Sequence, residues 1–376
     1  MNPFKPTAGK MPPILIGRES VIRDFEEALN NGAGAPGRLM LISGQRGFGK
    51  TVMLTELGRI AKKHDWAVVS DTASDGLCER LVAALSSGGP RFGGATLNPS
   101  VGVGGMVSAS LGSISISPNS TALTLREAIE AKLKRMPDGK GVLFTIDEAQ
   151  AASEEDLVAV ATAIQHVLRD EDMRDVPDAR KHGVAFVFAA LPSMIDEVLN
   201  NKVLTFLRRS QQRMLAEVPL ADVRAAYVDV VRESGKHISQ EDALAAARAA
   251  AGYPYMVQLV GYYMWQSAER RGSSLIERSD VERGADDAVL AFGEAVCAPI
   301  MDGLTPAQRE FVKAVAADSP DPAAVADIAR RCNRSSSWVS KYRASLIKEH
   351  VVEAAGKGYV RLSTPHMADY LRGSSW

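Results

Sequence analysis

A phosphate-binding loop is indicated by eight consecutive residues, which fit the pattern G-x-x-x-x-G-K-[ST] in full. They are Gly44, Gln45, Arg46, Gly47, Phe48, Gly49, Lys50 and Thr51, and Val52 follows them directly. Glycines at this spacing let successive backbone N–H groups surround the phosphates of a nucleotide. Lys50 would reach the β- and γ-phosphates, and the Thr51 hydroxyl would hold Mg²⁺. We therefore predict that residues 44–52 bind ATP with Mg²⁺.

The surroundings of this loop favour the same interpretation. An apolar run at Leu39–Ser43 predicts a buried strand before the loop, and a helical pattern opens at Thr51. A helix N-terminus adds the positive end of its dipole to a phosphate site. The alternative is a glycine-rich turn that matches the pattern by chance, and a strand before it and a helix after it argue against that alternative.

A second group of chemically active residues follows about a hundred residues later. The apolar run Val142–Ile146 predicts another buried strand, and it ends in Asp147 and Glu148. Asp147 would complete the Mg²⁺ shell, and Glu148 would orient and deprotonate the attacking water. Two acids after a strand can also cap the next helix, because acids are favoured at helix N-termini. Together with the loop, they predict hydrolysis of the nucleotide.

Length and composition exclude several classes of protein. The chain has 376 residues, which is enough for two or three domains. It is 46% hydrophobic and 24% charged, so it is neither disordered nor fibrous. There are 44 basic and 45 acidic residues, which excludes a polybasic nucleic-acid coat. The three cysteines lie far apart and no apolar run reaches 18 residues, so we expect a soluble, cytoplasmic protein without a membrane segment.

The hydrophobic pattern divides the chain into four parts and one insertion. Residues 1–16 contain four prolines and predict an extended arm. Residues 17–220 alternate buried strands with amphipathic helices, which predicts an α/β fold with a parallel sheet covered on both faces. Residues 221–303 are helical in pattern with no strand, and residues 304–376 form a separate small domain. The insertion, residues 86–120, holds eight glycines and nine serines and predicts either a β-hairpin or a surface loop.

Individual elements follow from the same patterns. Strands are predicted at Leu39–Ser43, Trp66–Ser70, Val142–Ile146 and Val184–Ala190. Helices are predicted at Val21–Leu29, Val52–Ala61, Leu77–Leu85, Leu123–Leu133 and Leu157–Leu168.

The last seventy residues have the pattern of a winged helix-turn-helix. Thr305 and Pro306 open a first helix, Pro322 a second, and Ser335–Ser337 a third that runs to about Glu349. Two short strands around residues 354–358 then predict a hairpin.

Charge favours DNA as the ligand of this segment. Residues 330–361 hold eight basic and two acidic residues, a net charge of +6 in a chain whose total is −1. The N-terminal part of the third helix would enter the major groove. The predicted DNA contacts are Ser335, Ser336, Ser337, Ser340, Lys341, Arg343 and, on the wing, Lys357. The alternative is a winged helix that contacts protein.

These motifs together resemble the AAA+ superfamily of P-loop NTPases, and more closely its initiator-like, origin-recognition group with a C-terminal winged helix. The resemblance begins at Gly17-Arg18-Glu19 and continues through the phosphate-binding loop, also called the Walker A motif. The Asp147–Gln150 segment corresponds to Walker B, and Gly252-Tyr253-Pro254 to the helical lid.

The resemblance implies further functional residues. A polar residue near the end of the fourth strand senses the γ-phosphate in the family, and only Ser193 is available here. In the family an arginine finger precedes the fifth strand and reaches a neighbouring subunit's ATP. The resemblance therefore implies that Arg208 or Arg209, with Arg213 behind them, has this role before a fifth strand at about residues 214–220, and it implies self-association. The lid usually supplies another arginine after its Gly-x-Pro turn, but this sequence has Tyr255 there, a candidate nucleotide contact. That departure favours a slow switch over a motor.

We therefore expect an ATP-binding, slowly hydrolysing AAA+ switch that binds duplex DNA and forms homo-oligomers. The nearly uncharged insertion suits contact with a protein partner better than contact with phosphate. One alternative is an oligomerising signalling or defence ATPase whose winged helix contacts protein. Another is an ATP-dependent, transposition-type target selector, which would share every nucleotide-binding residue.

Overall fold

The computed structural model describes residues 1–7, 9–32, 34–86, 124–192, 194 and 207–373. Five strands form the central sheet: β1 (Leu39–Ser43), β2 (Ala67–Thr72), β3 (Gly141–Asp147), β4 (Gly183–Ala190) and β5 (Gln211–Met214). Their order is β2-β3-β4-β1-β5, and all the pairings are parallel. The carboxyl ends of β1, β3 and β4 therefore meet at one edge of the sheet.

Helices cover both faces of this sheet, as predicted. They are α1 (Glu19–Asn30), α2 (Lys50–Lys63), α3 (Leu77–Ser86), α4 (Leu125–Leu133) and α5 (Glu154–Asp172). All eight residues of β4 are buried, and they alternate between two hydrophobic clusters. Val187 belongs to the cluster that includes residues of α1 and α2, and Phe186 belongs to the cluster that includes residues of α3, α4 and α5. Because both faces are buried, the central strands read as continuous apolar runs in the sequence.

The fifth strand was predicted in the wrong place. It lies at Gln211–Met214, and residues 214–220 are instead the connection to the next helix. β5 is an edge strand that pairs only with β1, and its side chains alternate between partly buried and exposed. Most of its residues are polar, so the sequence has no apolar run here that would predict a strand.

A helical lid follows the sheet. It consists of α6 (Leu220–Glu233), α7 (Gln240–Ala250), α8 (Pro254–Arg270) and α9 (Arg278–Phe292). The expectation that this region holds no strand was wrong: β6 (His237–Ile238) and β7 (Leu275–Ile276) pair in parallel. Two residues are too few to show a periodicity. After α9, the helical run continues through a π-helical turn at Gly293–Cys297 into α10 (Ala298–Asp302).

The C-terminal segment, residues 305–373, contains three helices and a hairpin in the predicted order. They are α11 (Pro306–Ala316), α12 (Val325–Arg331), α13 (Ser336–Lys348), β9 (Val352–Ala354) and β10 (Tyr359–Leu362). Two elements were not predicted, a short strand β8 (Ala323–Ala324) and a last helix α14 (Met367–Gly373). The three strands form an antiparallel sheet of order β8-β10-β9.

Aromatic side chains connect the lid to the C-terminal segment. The Phe292 ring lies 5.3 Å from that of Tyr253 and 6.2 Å from that of His366, measured between ring centroids. The Tyr370 ring packs against the backbone of Gly293, where a side chain would not fit. The end of α9 therefore packs both against the start of α8 within the lid and against the C-terminal segment.

The N-terminal arm packs on the lid, in agreement with its extended pattern. Phe4 is only 2% exposed, and its ring packs edge-on against Tyr227 with centroids 5.8 Å apart. Its ring also contacts Gly261 of α8, where an added Cβ would clash. The Asn2 side chain donates to the carbonyl of Tyr262 at 2.9 Å.

Candidate nucleotide-binding site

The phosphate-binding loop connects the end of β1 to the start of α2. Gly47 and Gly49 have φ angles of 81° and 84°, a left-handed conformation that side chains other than glycine rarely adopt. Gly49 is also the N-cap of α2, so the backbone N–H groups of the first helical turn lie at the loop. The pattern of glycines in the sequence thus matches the backbone that the loop adopts.

Lys50 is buried at the base of this loop. Its Nζ donates hydrogen bonds to the carbonyls of Gly44 at 2.9 Å and Gln45 at 3.1 Å. Burial lowers the pKa of Lys50, the nearby carboxylates of Glu148 and Asp147 oppose this, and Arg46 adds to it. A desolvated ammonium with neutral carbonyl partners gains strongly from a phosphate anion, so this residue fits a nucleotide.

The two residues predicted to hold Mg²⁺ lie against each other. Thr51 Oγ1 donates to Asp147 Oδ2 over 2.5 Å, although the residues are 96 positions apart. Within the described residues, no group of three or more His, Cys, Asp or Glu side chains is arranged to hold a metal ion. A hydroxyl and one carboxylate fit Mg²⁺, which usually keeps several waters and takes its remaining ligands from phosphates.

Glu148 lies beside this pair in a constrained backbone conformation. Its φ of 50° is left-handed, and its N–H donates to Asp147 Oδ1 at 2.9 Å. Such a conformation in a residue other than glycine is sparsely populated and is often found at functional sites. The turn that follows it, Ala149–Ala151, continues directly into the N-cap Ser153 of α5.

Gln150, in the turn after Glu148, was not predicted as a site residue. Its Nε2 donates to Glu148 Oε2, and its Oε1 accepts from the Leu191 N–H at 3.1 Å. Leu191 directly follows β4, so this side chain connects the carboxyl ends of the neighbouring strands β3 and β4. The resemblance included Gln150 in the Walker B segment but implied no role for its side chain.

The lid contacts the loop through Tyr253, the middle residue of its Gly252-Tyr253-Pro254 turn. Tyr253 is 1% exposed, and its hydroxyl donates to the Arg46 carbonyl. Burial raises the pKa of Tyr253, so the hydroxyl remains a donor at neutral pH. Tyr255, the predicted nucleotide contact, is partly buried with its ring 6.1 Å from that of Phe292.

Arg18, in the Gly17–Glu19 box, also contacts the loop. Its guanidinium donates to the carbonyls of Phe48 at 3.3 Å and Ala216 at 3.0 Å. Burial lowers the pKa of Arg18, and the neighbouring Glu19 partly offsets this. The side chain joins the start of α1, the loop and the segment after β5.

The remaining predicted residues of the nucleotide site are dispersed. Arg208 and Arg209 are exposed in a short helical turn before β5, at the edge of the sheet. Arg213, predicted to lie behind them, is in β5 and forms an ion pair with Asp24 of α1. Ser193 and the predicted hairpin of the insertion lie outside the described residues.

The basic residues of the C-terminal segment divide into two groups. Four of the eight are paired with acids of the same segment: Arg330 with Asp327, Arg331 with Asp318, Arg334 with Glu310, and Arg361 with Glu353. Lys341, Arg343, Lys348 and Lys357 form no ion pair with any residue in the described part of the chain. The effective charge is therefore lower than the sequence count suggests.

The predicted DNA contacts lie at the start of α13 and at the hairpin. Ser335, Ser336, Ser337 and Ser340 are exposed, as are Lys341 and Lys357, while Arg343 is partly buried. Ser335 is the N-cap of α13 and accepts from the Trp338 N–H at 3.3 Å. Lys357 lies between Gly356 and Gly358, which both have positive φ.

None of the helices that the structure describes combines the length and apolar composition needed to cross a bilayer.

Two family models match the sequence. Residues 14–174 match the AAA ATPase domain, and residues 294–371 match a family described as a domain of unknown function, DUF8462. No curated protein sequence matches the chain.

Two archaeal structures are similar over nearly the whole chain. The ORC2 protein of Aeropyrum pernix, in ADPNP–ADP complexes, is 14% identical, with a TM-score of 0.61 over 97% of this chain and 95% of that one. The Walker-type ATPase paby2304 of Pyrococcus abyssi is 14% identical, with a TM-score of 0.63 over 95% of this chain and 96% of that one. At this identity the similarity shows the fold alone. Residues 14–174 thus match the AAA ATPase domain, and the chain has the fold of the P-loop AAA+ ATPases.

Proposed function

We propose that this protein is an ATP-dependent molecular switch that hydrolyses ATP slowly and binds duplex DNA. The observation that carries the nucleotide part is the 2.5 Å hydrogen bond between Thr51 and Asp147, beside the buried Lys50. Two motifs 96 residues apart are thereby joined at one edge of the sheet. The similar ORC2 protein was solved with ADPNP and ADP, so adenine nucleotides suit this fold.

Each residue of the site has one role in this proposal. The loop N–H groups and Lys50 bind and orient the phosphates, and the ammonium stabilises charge on the transferred group. Thr51 and Asp147 hold Mg²⁺, which neutralises phosphate charge when bound. Glu148 accepts a proton from the attacking water.

We infer slow turnover and self-association from the two positions at which the family has a functional arginine, one in the lid and one before β5. The lid provides Tyr255 where the family has an arginine, so the site lacks one positive charge for the γ-phosphoryl oxygens. Arg208 and Arg209 are exposed at the sheet edge, and in a homo-oligomer they would supply that charge to a neighbour's ATP. Hydrolysis would then depend on assembly.

DNA binding by the C-terminal segment is supported by its basic residues without acidic partners. Lys341 and Arg343 lie on α13, the third helix of the segment, and Lys357 lies at the tip of the hairpin. The segment as a whole, residues 304–373, has eleven basic and seven acidic residues, a net charge of +4. We propose that it acts as a winged helix with α13 in the major groove.

A specific observation favours a second candidate, in which this segment contacts protein. Half of the basic cluster is neutralised by ion pairs with its own acids. A signalling or defence ATPase of the oligomerising type would use the segment as a clamp, with no need for free cations. A transposition-type target selector would share the DNA and nucleotide residues, and filaments on DNA in electron micrographs would distinguish it.

Fluorescence anisotropy of labelled duplex DNA at fixed salt tests the proposal, with ATP, with ADP and without nucleotide. We expect binding that requires ATP, is lost in Lys50→Ala and is weakened in Lys341→Ala. The matched control is Lys134→Ala, which removes an exposed lysine at the end of α4 and should bind as the native protein does. Absence of duplex binding in every nucleotide state would reject the DNA part and favour the clamp.

A further inference from the structure

Gln150 makes two hydrogen bonds that fix the orientation of its side-chain amide. The Leu191 N–H can only donate, so the atom that it contacts at 3.1 Å is the amide oxygen. The amide nitrogen must then face Glu148, whose carboxylate accepts from it. A flipped amide would place its NH₂ group against the Leu191 N–H and its oxygen against the Glu148 carboxylate. Both bonds therefore require the same orientation.

This amide leaves the two oxygens of Glu148 in different environments. Oε2 accepts from Gln150, while Oε1 has no hydrogen-bond partner within the residues that the structure describes. A carboxylate held through one oxygen presents the other in a defined direction. The free oxygen is thus the one available to accept a proton from water.

The other end of the amide lies where β4 ends in Ala189, Ala190, Leu191 and Pro192, which have no polar side chain. We propose that Gln150 is a positioning residue for hydrolysis: it holds the Glu148 carboxylate to the end of β4 and thereby directs Oε1 at the attacking water. This inference rests on the proposed catalytic role of Glu148.

Three substitutions separate this role from simple packing. Gln150→Met preserves the length of the side chain and removes both hydrogen bonds, whereas Gln150→Ala also removes its volume. We expect kcat to fall by about tenfold to a hundredfold in both variants, because a small displacement of a catalytic group lowers the rate of the chemical step by this order. The affinity for ATP should be unchanged. Gln150→Glu keeps the length of the side chain but, as a carboxylate, cannot donate to Glu148, so kcat should fall as it does in Gln150→Met.

A second readout needs neither nucleotide nor turnover. In the nucleotide-free protein, Gln150→Met leaves the Leu191 N–H without its acceptor, so its amide hydrogen exchange should become faster than in the native protein. The N–H of Asp156, which bonds to Ser153 Oγ at 3.1 Å in the first turn of α5, serves as an internal control and should not change.

The outcomes distinguish the failure of this inference from failure of the proposed function. If the native protein hydrolyses ATP but Gln150→Met matches its kcat, or exceeds it, the positioning role is wrong and the ATPase proposal stands. If the native protein and Glu148→Gln are equally inactive, hydrolysis by Glu148 is wrong. Unchanged exchange at Leu191 in Gln150→Met would show that the contact to β4 does not exist in solution, and would overturn the inference independently.

Discussion

The hydroxyl of Tyr253 donates a hydrogen bond to the backbone carbonyl of Arg46, 207 residues earlier in the chain. The Tyr253 ring also packs edge-on against Phe48, with centroids 4.8 Å apart. A Cβ on Gly47 would approach the Tyr253 hydroxyl to 2.5 Å, so only glycine fits beneath it. The start of α8 in the lid therefore packs directly on the phosphate-binding loop.

Removing only the hydroxyl of Tyr253 should weaken this contact. We expect Tyr253→Phe to lower the free energy of unfolding by about 1–2 kcal/mol, because the bond is lost and a buried carbonyl is left without its donor. Urea denaturation measures the change. Tyr255→Phe is the matched control, because no hydrogen bond of that hydroxyl is seen in the described structure. Equal effects of the two substitutions would contradict the importance of the contact.

Glu148→Gln should separate nucleotide binding from hydrolysis. The amide keeps the shape of the side chain but cannot accept a proton as a carboxylate does, so turnover should fall by about 10²–10⁴-fold. Affinity for Mg-ATP, measured with a fluorescent ATP analogue, should stay near that of the native protein. Asp147→Asn should instead weaken the Mg²⁺-dependent part of binding. Full turnover in Glu148→Gln would remove this residue from the mechanism.

Lys50 should stabilise the protein only when phosphate is bound. Its burial lowers the pKa in the folded state, so the charged form carries a desolvation cost that disappears as pH rises through the lowered pKa. We expect nucleotide-free Lys50→Met to be within about 1 kcal/mol of the native protein. The unfolding free energy of the native protein relative to this variant should increase with pH in the alkaline range.

Adding Mg-ATP should raise the Tm of the native protein and leave that of Lys50→Met unchanged, because ligand binding to the folded state shifts stability by mass action. Differential scanning fluorimetry measures both. An equal rise in the variant would show that the loop lysine does not bind the phosphates.

Phe4 should contribute to stability as a core residue does, although it lies in the N-terminal arm. Replacing a buried phenylalanine by alanine typically costs about 3–5 kcal/mol, and the ring here fills the space between Tyr227 and Gly261. We expect Phe4→Ala to lose about 3 kcal/mol and to expose the arm to proteases. Lys10→Ala, an exposed change in the same arm, is the control. Native-like protease resistance in Phe4→Ala would mean that the arm is held by other contacts.

The two groups of basic residues should behave in opposite ways. Arg331 pairs with Asp318 and donates to the Ala314 carbonyl at 2.9 Å, so Arg331→Ala should cost about 1 kcal/mol of stability and little DNA affinity. Lys341→Ala should leave stability unchanged and reduce the salt slope of DNA binding by about 1. A larger loss of DNA affinity in Arg331→Ala would show that ion-paired residues also reach phosphate.

The sequence was most informative where a local pattern and burial agree. β1 was predicted at its observed bounds, and β3 and β4 within one residue, because both faces of these strands are covered and most of their positions are apolar. β5 was misplaced because its polar side chains lie at the sheet edge. β6 and β7 consist of two residues each, and their pairing is set by the packing of the lid helices.

In the site, too, residues that are consecutive in the sequence could be predicted, and residues whose contacts are distant in the sequence could not. The loop could be predicted because its glycines, lysine and threonine are consecutive. Gln150 and Tyr253 could not, because their partners Leu191 and Arg46 are 41 and 207 residues away and are brought to them only by the tertiary fold. The charge of the C-terminal segment was overestimated because three of the neutralising acids precede residue 330.

The π-helical turn at Gly293–Cys297 lies within one continuous helical run, between the ring of Phe292 and the basic C-terminal segment. Such a turn accommodates one residue more than the α-helical path around it. Deleting one residue there would close the turn into the α-helical path and keep the helices on either side in phase. The same deletion within α9 would instead rotate everything downstream by about 100° around the helix axis. The orientation of the basic segment relative to the nucleotide site should therefore tolerate a one-residue deletion at this turn better than one in the regular helix before it.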